Sequence, residues 1–197
     1  MIGTCAPWHV RRNAGAKPGD ILILTKPIGV GIYSSALKSE ALPRSDYAEM
    51  IATTTQLNKV GAELARLDWV HAMTDVTGFG LLGHGREMAR GAGLRLGIRA
   101  DDVPLLSPAA ELARQGFVTG ASQRNWSSYG NDVEVPPEMP EWRRHILTDP
   151  QTSGGLLIAV APERGDSILR TIRDSNCPLA CIIGHAEDGT PAIKVTA

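Results

Sequence analysis

Asp20-Ile21-Leu22-Ile23-Leu24-Thr25 is the stretch on which the fold turns. Four apolar residues in a row, entered from the turn Lys17-Pro18-Gly19-Asp20, read as a strand covered on both faces. A Gly/Pro loop, Lys26 to Gly31, follows. Ile32 to Leu42 then reads as a helix stopped by Pro43. Asp46 and Glu49 give a D-x-x-E capping signal for a long helix reaching about Asp68. Met50, Leu57, Val60, Leu64 and Leu67 would form its one buried stripe. Trp69–Met73 is a short strand, and about Leu81 to Arg90 a helix closed by Gly91-Ala92-Gly93. Leu94–Ala100 alternates like a half-exposed strand. Ser107–Gln115 reads as a short helix capped by Ser107, with Pro108 at its first position. Residues 116–145 are the least periodic. Leu156–Val160 is an apolar strand and Pro162–Asp174 a helix with Ile168, Leu169 and Ile172 inward. Cys181–Gly184 and Ala192–Thr196 are strands joined by the turn Glu187-Asp188-Gly189. Strands mixed with covering helices, without repeat or linker, predict one α/β layer domain.

Composition narrows the function without naming it. The chain has 197 residues, 43% of them hydrophobic, enough for a sizeable core. Twenty Lys and Arg against 21 Asp and Glu leave a formal charge of -1. That balance argues against a nucleic-acid clamp or a polybasic membrane anchor. Aromatic residues at 5% argue against a stacking platform for single strands. No apolar run approaches the roughly 18 residues of a membrane span. Three cysteines, Cys5, Cys177 and Cys181, suggest no disulfide framework, and no export signal opens the chain, so a reducing, cytoplasmic setting is expected.

Two loops hold residues suited to chemistry. Thr74-Asp75-Val76-Thr77-Gly78-Phe79-Gly80 joins a strand to a helix. Its glycines let backbone approach a ligand, and a helix start suits phosphate. Asp75 can hold magnesium, which binds through few carboxylates plus phosphate oxygens. Equally, Asp75 or Thr77 can cap the helix, and spacing alone weighs slightly toward the cap. Asp149-Pro150-Gln151-Thr152-Ser153-Gly154-Gly155 reads either as an anion-holding nest or as a turn whose Gly155 makes room for a crossing element. The turn is favoured. Lys26, at a strand end, can reach a phosphate, but a solvated strand end is the commoner reading. Cys177 and Cys181 lack further ligands at metal-site spacing and read as buried, inert thiols. His84 follows the first loop by one helical turn and reads as a polar contact or surface residue. No G-x-S-x-G elbow is present.

Together these stretches resemble one family. Asn13 to Asp20, Leu24 to Gly31, Thr74 to His84 and Asp149 to Leu157 are similar, in order, to motifs of selenophosphate synthetase (selenide, water dikinase). Asn58 and Gly120 to Asn125 fit as well. The resemblance spans about residues 8 to 197 and places the chain in the ATP-binding superfamily of aminoimidazole ribonucleotide synthetase. It implies a mixed β-sheet flanked by helices (α/β, or α+β). It divides the chain into an N-terminal extension, 1–12, and a single C-terminal-type domain, 13–197. It implies ATP and Mg2+ as cofactors and formation of selenophosphate, AMP and phosphate from selenide, ATP and water. Selenophosphate then supplies selenium for selenocysteine and for selenium-modified tRNA.

On this resemblance Asp75 is a magnesium-binding aspartate, and Thr74, Thr77 and Gly78 lie near the polyphosphate. No catalytic residue is expected in this chain. The family's N-terminal domain, which carries a Cys or selenocysteine, a lysine and further metal-binding aspartates, has no counterpart here. The expected partner is therefore that domain or an equivalent chain. The chain alone is expected to be inactive, with homodimerisation left to the full-length protein. The alternatives are a stand-alone non-catalytic binding module, or another superfamily member such as a thiamine-monophosphate kinase or a hydrogenase-maturation protein.

Overall fold

The computed structural model describes residues 4–197. Its centre is a seven-stranded sheet: β1 (Ile21–Leu24), β2 (Val70–Asp75), β3 (Arg95–Arg99), β4 (Val133–Glu134), β5 (Leu156–Val160), β6 (Cys181–Glu187) and β7 (Ala192–Thr196). The spatial order is β2-β5-β1-β6-β3-β7-β4. The pairs from β2 to β3 are antiparallel, and β3–β7 and β7–β4 are parallel, so the sheet is mixed.

The run that reads as a doubly covered strand is one. In β1, Leu22 and Leu24 enter the larger core cluster while Ile23 enters a second cluster on the opposite face. β5 splits alike, with Leu157 and Ala159 on one face and Leu156, Ile158 and Val160 on the other. This is the period-2 geometry of a pleated strand with apolar layers on both sides. Among the described residues, eight α-helices accompany the sheet: α1 (Val30–Lys38), α2 (Arg44–Thr55), α3 (Val60–Leu64), α4 (Gly80–Ala92), α5 (Ala109–Arg114), α6 (Gly120–Tyr129), α7 (Glu141–Leu147) and α8 (Gly165–Asp174). The larger cluster takes residues from α1, α4, α5, α6 and α7; the smaller is covered by α3 and α8.

The long helix expected to reach Asp68 is instead two. α2 stops at Thr55, Gln56 is extended (ψ 124°), and α3 restarts at Val60. Three consecutive threonines, poor helix formers, precede the break, and Thr54 and Thr55 turn their hydroxyls back onto Met50 and Ile51 carbonyls. The single stripe dissolves accordingly. Met50 packs on the larger core, Val60, Leu64 and Leu67 on the smaller, and Leu57 is 62% exposed. The Asp46–Glu49 capping box does not form either. Pro43 holds the N-cap position, and Glu49 accepts the Tyr33 hydroxyl at 2.6 Å. Ser107 is likewise no cap: Pro108 precedes α5, and the Ser107 N–H points to Glu49.

Other departures are local. α6 and α7 occupy the stretch that lacked periodicity. Pro162–Arg164 forms a 3-10 turn ahead of α8. β6 and β7, joined by the turn at Glu187–Gly189, are not hydrogen-bonded neighbours, because β3 lies between them. Ahead of Asn13 the chain is tied to the domain: the Arg12 carbonyl accepts the Met73 N–H, and Arg11 donates to the Ala65 and Leu67 carbonyls. Among the described residues no helix is long and apolar enough to cross a membrane.

Candidate functional site: two loops at one end of the sheet

β2 runs further than Met73 and ends in Thr74 and Asp75, opposite Leu157 and Leu156 of β5. Asp75 is thus the last residue of an edge strand, with its side chain exposed. Val76 turns into the core and donates its N–H to the Gly155 carbonyl at 2.8 Å. The next three carbonyls all point inward. Thr77 accepts from the Gln151 N–H (2.9 Å) and the Gly80 N–H (3.0 Å). Gly78 accepts from Asn125 Nδ2 (2.9 Å) and Phe79 from the Tyr129 hydroxyl (2.6 Å).

A trans peptide sets its N–H opposite its carbonyl. The Gly78 and Phe79 N–H groups therefore point away from the core, and neither meets a protein acceptor among the described residues. Gly80, at φ 71°, packs 2.6 Å from the Thr148 backbone by the measure of an added Cβ, so only glycine fits that corner. The Thr77 hydroxyl lies 3.2 Å from His84 Nε2, which makes His84 a buried polar contact that orients Thr77. Thr77 and Asp75 bond no free backbone N–H of α4 as caps: its N-cap is Phe79, with no side-chain bond.

The second loop lies against the first but faces inward. Asp149 is 0% exposed. Its Oδ2 accepts from the N–H groups of Gly31 (2.8 Å) and Ile32 (3.4 Å) and from Gln151 Nε2 (2.9 Å). Gln151 Oε1 accepts from the Gly29 and Val30 N–H groups. The start of α1, which follows Gly29 and has no local cap, is thereby capped from 117 to 122 residues away. Burial pushes the Asp149 carboxyl up to about 7, although the bonds from Gln151, Gly31 and Ile32 oppose that rise. The group that occupies this helix start is the protein's own carboxyl side chain. Added Cβ atoms at Gly154 and Gly155 would overlap the Val76 carbonyl and the Lys26 backbone, so both glycines serve close packing.

Lys26 corrects the sequence reading most. It is 1% exposed, not a solvated strand end. Its ammonium donates to the carbonyls of Gln56 (2.7 Å), Ser153 (2.8 Å) and Thr53 (3.4 Å). Burial lowers its pKa, and nearby Cys177 works in the opposite direction. The lysine fixes the break between α2 and α3 and tethers the second loop. Asn58, within the break, donates to the Gly154 carbonyl at 2.9 Å. Cys177 is buried beside Gln56, and burial raises its thiol pKa. Cys181 lies on β6.

The structure thus brings Thr74, Asp75, Thr77 and Gly78 to one end of the sheet, Asp75 and Gly78 exposed and the two threonines half-buried, with Phe79 beside them, 55% exposed. Sequence reasoning missed the support beneath them. Asn125 and Tyr129 stand one turn apart on α6, whose buried face mixes Ser122 and Asn125 with the Tyr129 ring and so shows no clear apolar period. The residues present fit one share of a magnesium site: a hard, exposed carboxylate next to a hydroxyl. No group of three or more His, Cys, Asp or Glu that could hold a metal occurs among the described residues. Further oxygens would have to come from phosphate, water or another polypeptide.

The comparisons agree with this architecture. The chain is 57% identical over 195 residues to a selenide, water dikinase of Rhizobium meliloti (strain 1021), covering 99% of this chain and 56% of that protein. It is 52% identical to a selenide, water dikinase of Paraburkholderia xenovorans (strain LB400), covering 98% and 55%. The chain therefore spans about half the length of these curated relatives. Among solved structures, a thiamine-monophosphate kinase from Stenotrophomonas maltophilia K279a aligns with a TM-score of 0.66 at 18% identity, over 97% of this chain and 54% of that one. The hydrogenase maturation protein HypE in complex with ATP aligns with a TM-score of 0.58 at 18% identity, over 90% and 45%. At such identities these structures share the fold. Residues 17–195 match the family described as AIR synthase related protein, C-terminal domain, and the chain belongs to that family.

Proposed function

We propose that this chain forms one wall of the nucleotide site of a selenide, water dikinase, the enzyme that makes selenophosphate, AMP and phosphate from selenide, ATP and water. Asp75 binds magnesium, and Thr74, Thr77 and Gly78 lie along the polyphosphate. The observation that carries this reading is the Thr77–Phe79 turn: three carbonyls are bonded inward, and two N–H groups face out beside an exposed carboxylate. Outward N–H groups at a helix start favour an anion. Magnesium at Asp75 would neutralise phosphate charge. The high identity to two proteins named selenide, water dikinase supports this substrate class over those of the more distant kinase and maturation-protein neighbours.

The other wall belongs to the N-terminal part that these longer relatives possess, or to an equivalent chain. That part supplies the reacting groups and the dimer contacts, and no nucleic acid or membrane takes part directly. The setting is cytoplasmic. A lone carboxylate holds magnesium weakly, so the isolated chain is inactive. The test joins this chain to the N-terminal part of the Rhizobium relative and measures selenide-dependent AMP formation. Asp75→Asn should lower turnover on the order of 100-fold or more with the unfolding midpoint unchanged. Near-normal turnover refutes the metal role. Calorimetry on the 197-residue chain should find Mg-ATP affinity no tighter than millimolar, and tight binding would overturn the two-wall reading.

A further inference from the structure

The Thr77–Phe79 turn is useful to an anion only while its peptide planes keep one orientation. A flip of the plane between Gly78 and Phe79 would swing a carbonyl dipole to where an N–H had been, reversing the sign presented to the ligand. Gly78 makes such a flip sterically easy, since without a Cβ it tolerates the change in backbone angle the flip requires. Something must hold the plane, and the loop's own backbone bonds do not. They fix the Thr77–Gly78 plane through the Thr77 carbonyl and the Phe79–Gly80 plane through the Gly80 N–H, but leave the Gly78–Phe79 plane between them unheld.

We propose that Asn125 of α6 is a positioning residue that locks the Gly78 carbonyl inward, so that the Phe79 N–H stays aimed at the bound phosphate, and that Tyr129 braces the adjoining Phe79–Gly80 peptide. The proposal rests on the phosphate reading above and adds to it two residues that touch no substrate. Asn125 Nδ2 bridges the Gly78 carbonyl (2.9 Å) and the Thr148 carbonyl (3.0 Å), and the Tyr129 hydroxyl donates to the Phe79 carbonyl (2.6 Å). Residues at i and i+4 share one helix face, so a single element grips two successive peptide planes.

The helix is itself anchored. Ser122 Oγ, fully buried, lies 2.8 Å from Thr148 Oγ1 and 2.8 Å from His145 Nδ1, joining α6 to the end of α7. The Tyr129 ring fits because residue 83 has no side chain. An added Cβ at Gly83 would stand 3.0 Å from Tyr129 Cε1 and 2.6 Å from Phe79 Cβ. α6 turns Ser122, Asn125 and Tyr129 inward; the Tyr129 ring joins the larger core with Trp126 packed beside it, while the polar atoms of all three are spent on bonds to this corner.

The test uses Tyr129→Phe, which removes one hydroxyl, and Asn125→Ala. Ile172→Val, in the smaller core on the opposite face of the sheet, is the control for general loss of stability. Amide exchange is read at Val76 and Gly80, the two protected N–H groups that flank the turn. Both loop variants should speed exchange there by about tenfold, and in the joined enzyme raise KM for ATP by about tenfold with a smaller change in kcat. The control should do neither. Unchanged exchange in both variants, equal exchange in the control, or faster exchange with unchanged KM would each overturn the proposal. Failure of the phosphate reading is separately visible: Asp75→Asn would then leave turnover intact, and neither variant would move KM for ATP.

Discussion

Replacing Asp149 by Asn should flatten the pH dependence of stability. The carboxyl is fully buried, and its donors, Gly31, Ile32 and Gln151, are all neutral and all on Oδ2. Oδ1 is buried without a partner. The charged form is thus half solvated by protein, and its pKa rises from 3.8 to about 7. The sign follows from linkage. Between about pH 4 and pH 7 the folded chain holds this proton and the unfolded chain has lost it, so stability falls as pH rises through that window. At about 1.4 kcal/mol per pH unit, roughly three units give a loss on the order of 4 kcal/mol from this one group. Urea unfolding of the chain at half-unit steps from pH 4 to pH 8 reads it. Subtracting the Asp149→Asn curve cancels the titration of distant carboxylates, whose contributions add independently. The difference should slope by several kcal/mol and level off above pH 7. Asn keeps an acceptor for Gly31 and Ile32 but orphans an amide, so a constant offset of about 1–3 kcal/mol is expected and decides nothing. Parallel curves would show that Asp149 ionises in the fold as it does in the unfolded chain, and the burial argument would fail.

Lys26→Met leaves the Thr53, Gln56 and Ser153 carbonyls without their donor and should cost about 3 kcal/mol or more in urea unfolding; a loss below about 1 kcal/mol would mean that water replaces the ammonium. Gly78 and Gly154 should behave oppositely. Gly154→Ala collides with the Val76 carbonyl and should destabilise the chain by several kcal/mol, whereas Gly78→Ala has open space and should stay within about 0.5 kcal/mol of the parent. In the joined enzyme Gly78→Ala should nonetheless slow turnover if, as proposed, the polyphosphate approaches at this position. Full activity in Gly78→Ala would remove Gly78 from the site.

What could be read from the sequence was whatever rests on local pattern. Ile21–Leu24 and Leu156–Val160 are apolar at every position and lie between two cores, so the run itself specifies a covered strand. The helix boundaries between Asp46 and Asp68 were hidden because the force that breaks the helix is not local. Lys26, some 30 residues upstream, takes the Gln56 carbonyl that a continuing helix would use. Leu57 kept the right spacing for a stripe that the break then turned into solvent. Ser107 and the Asp46–Glu49 pair failed likewise: in both, Glu49 is committed to Tyr33 and Ser107 across the fold.

The same distinction separates the two candidate loops. Both are Gly-rich, both contain Asp and Thr, and each is open to a ligand or a turn reading on composition alone. They differ in where their polar atoms point. Asp149 and Gln151 spend their oxygens on the first four N–H groups around the start of α1, so that loop consumes a helix terminus as structure. Thr77, Gly78 and Phe79 spend carbonyls inward and leave N–H groups and the Asp75 carboxylate outward. No spacing rule encodes that inversion, because its partners, Asn125, Tyr129 and Gln151, come from elsewhere in the chain. The second loop is therefore the scaffold of the first. Gln151 joins them, its side chain on α1 and its N–H on Thr77, which makes the stability of the buried loop a condition for the geometry of the exposed one.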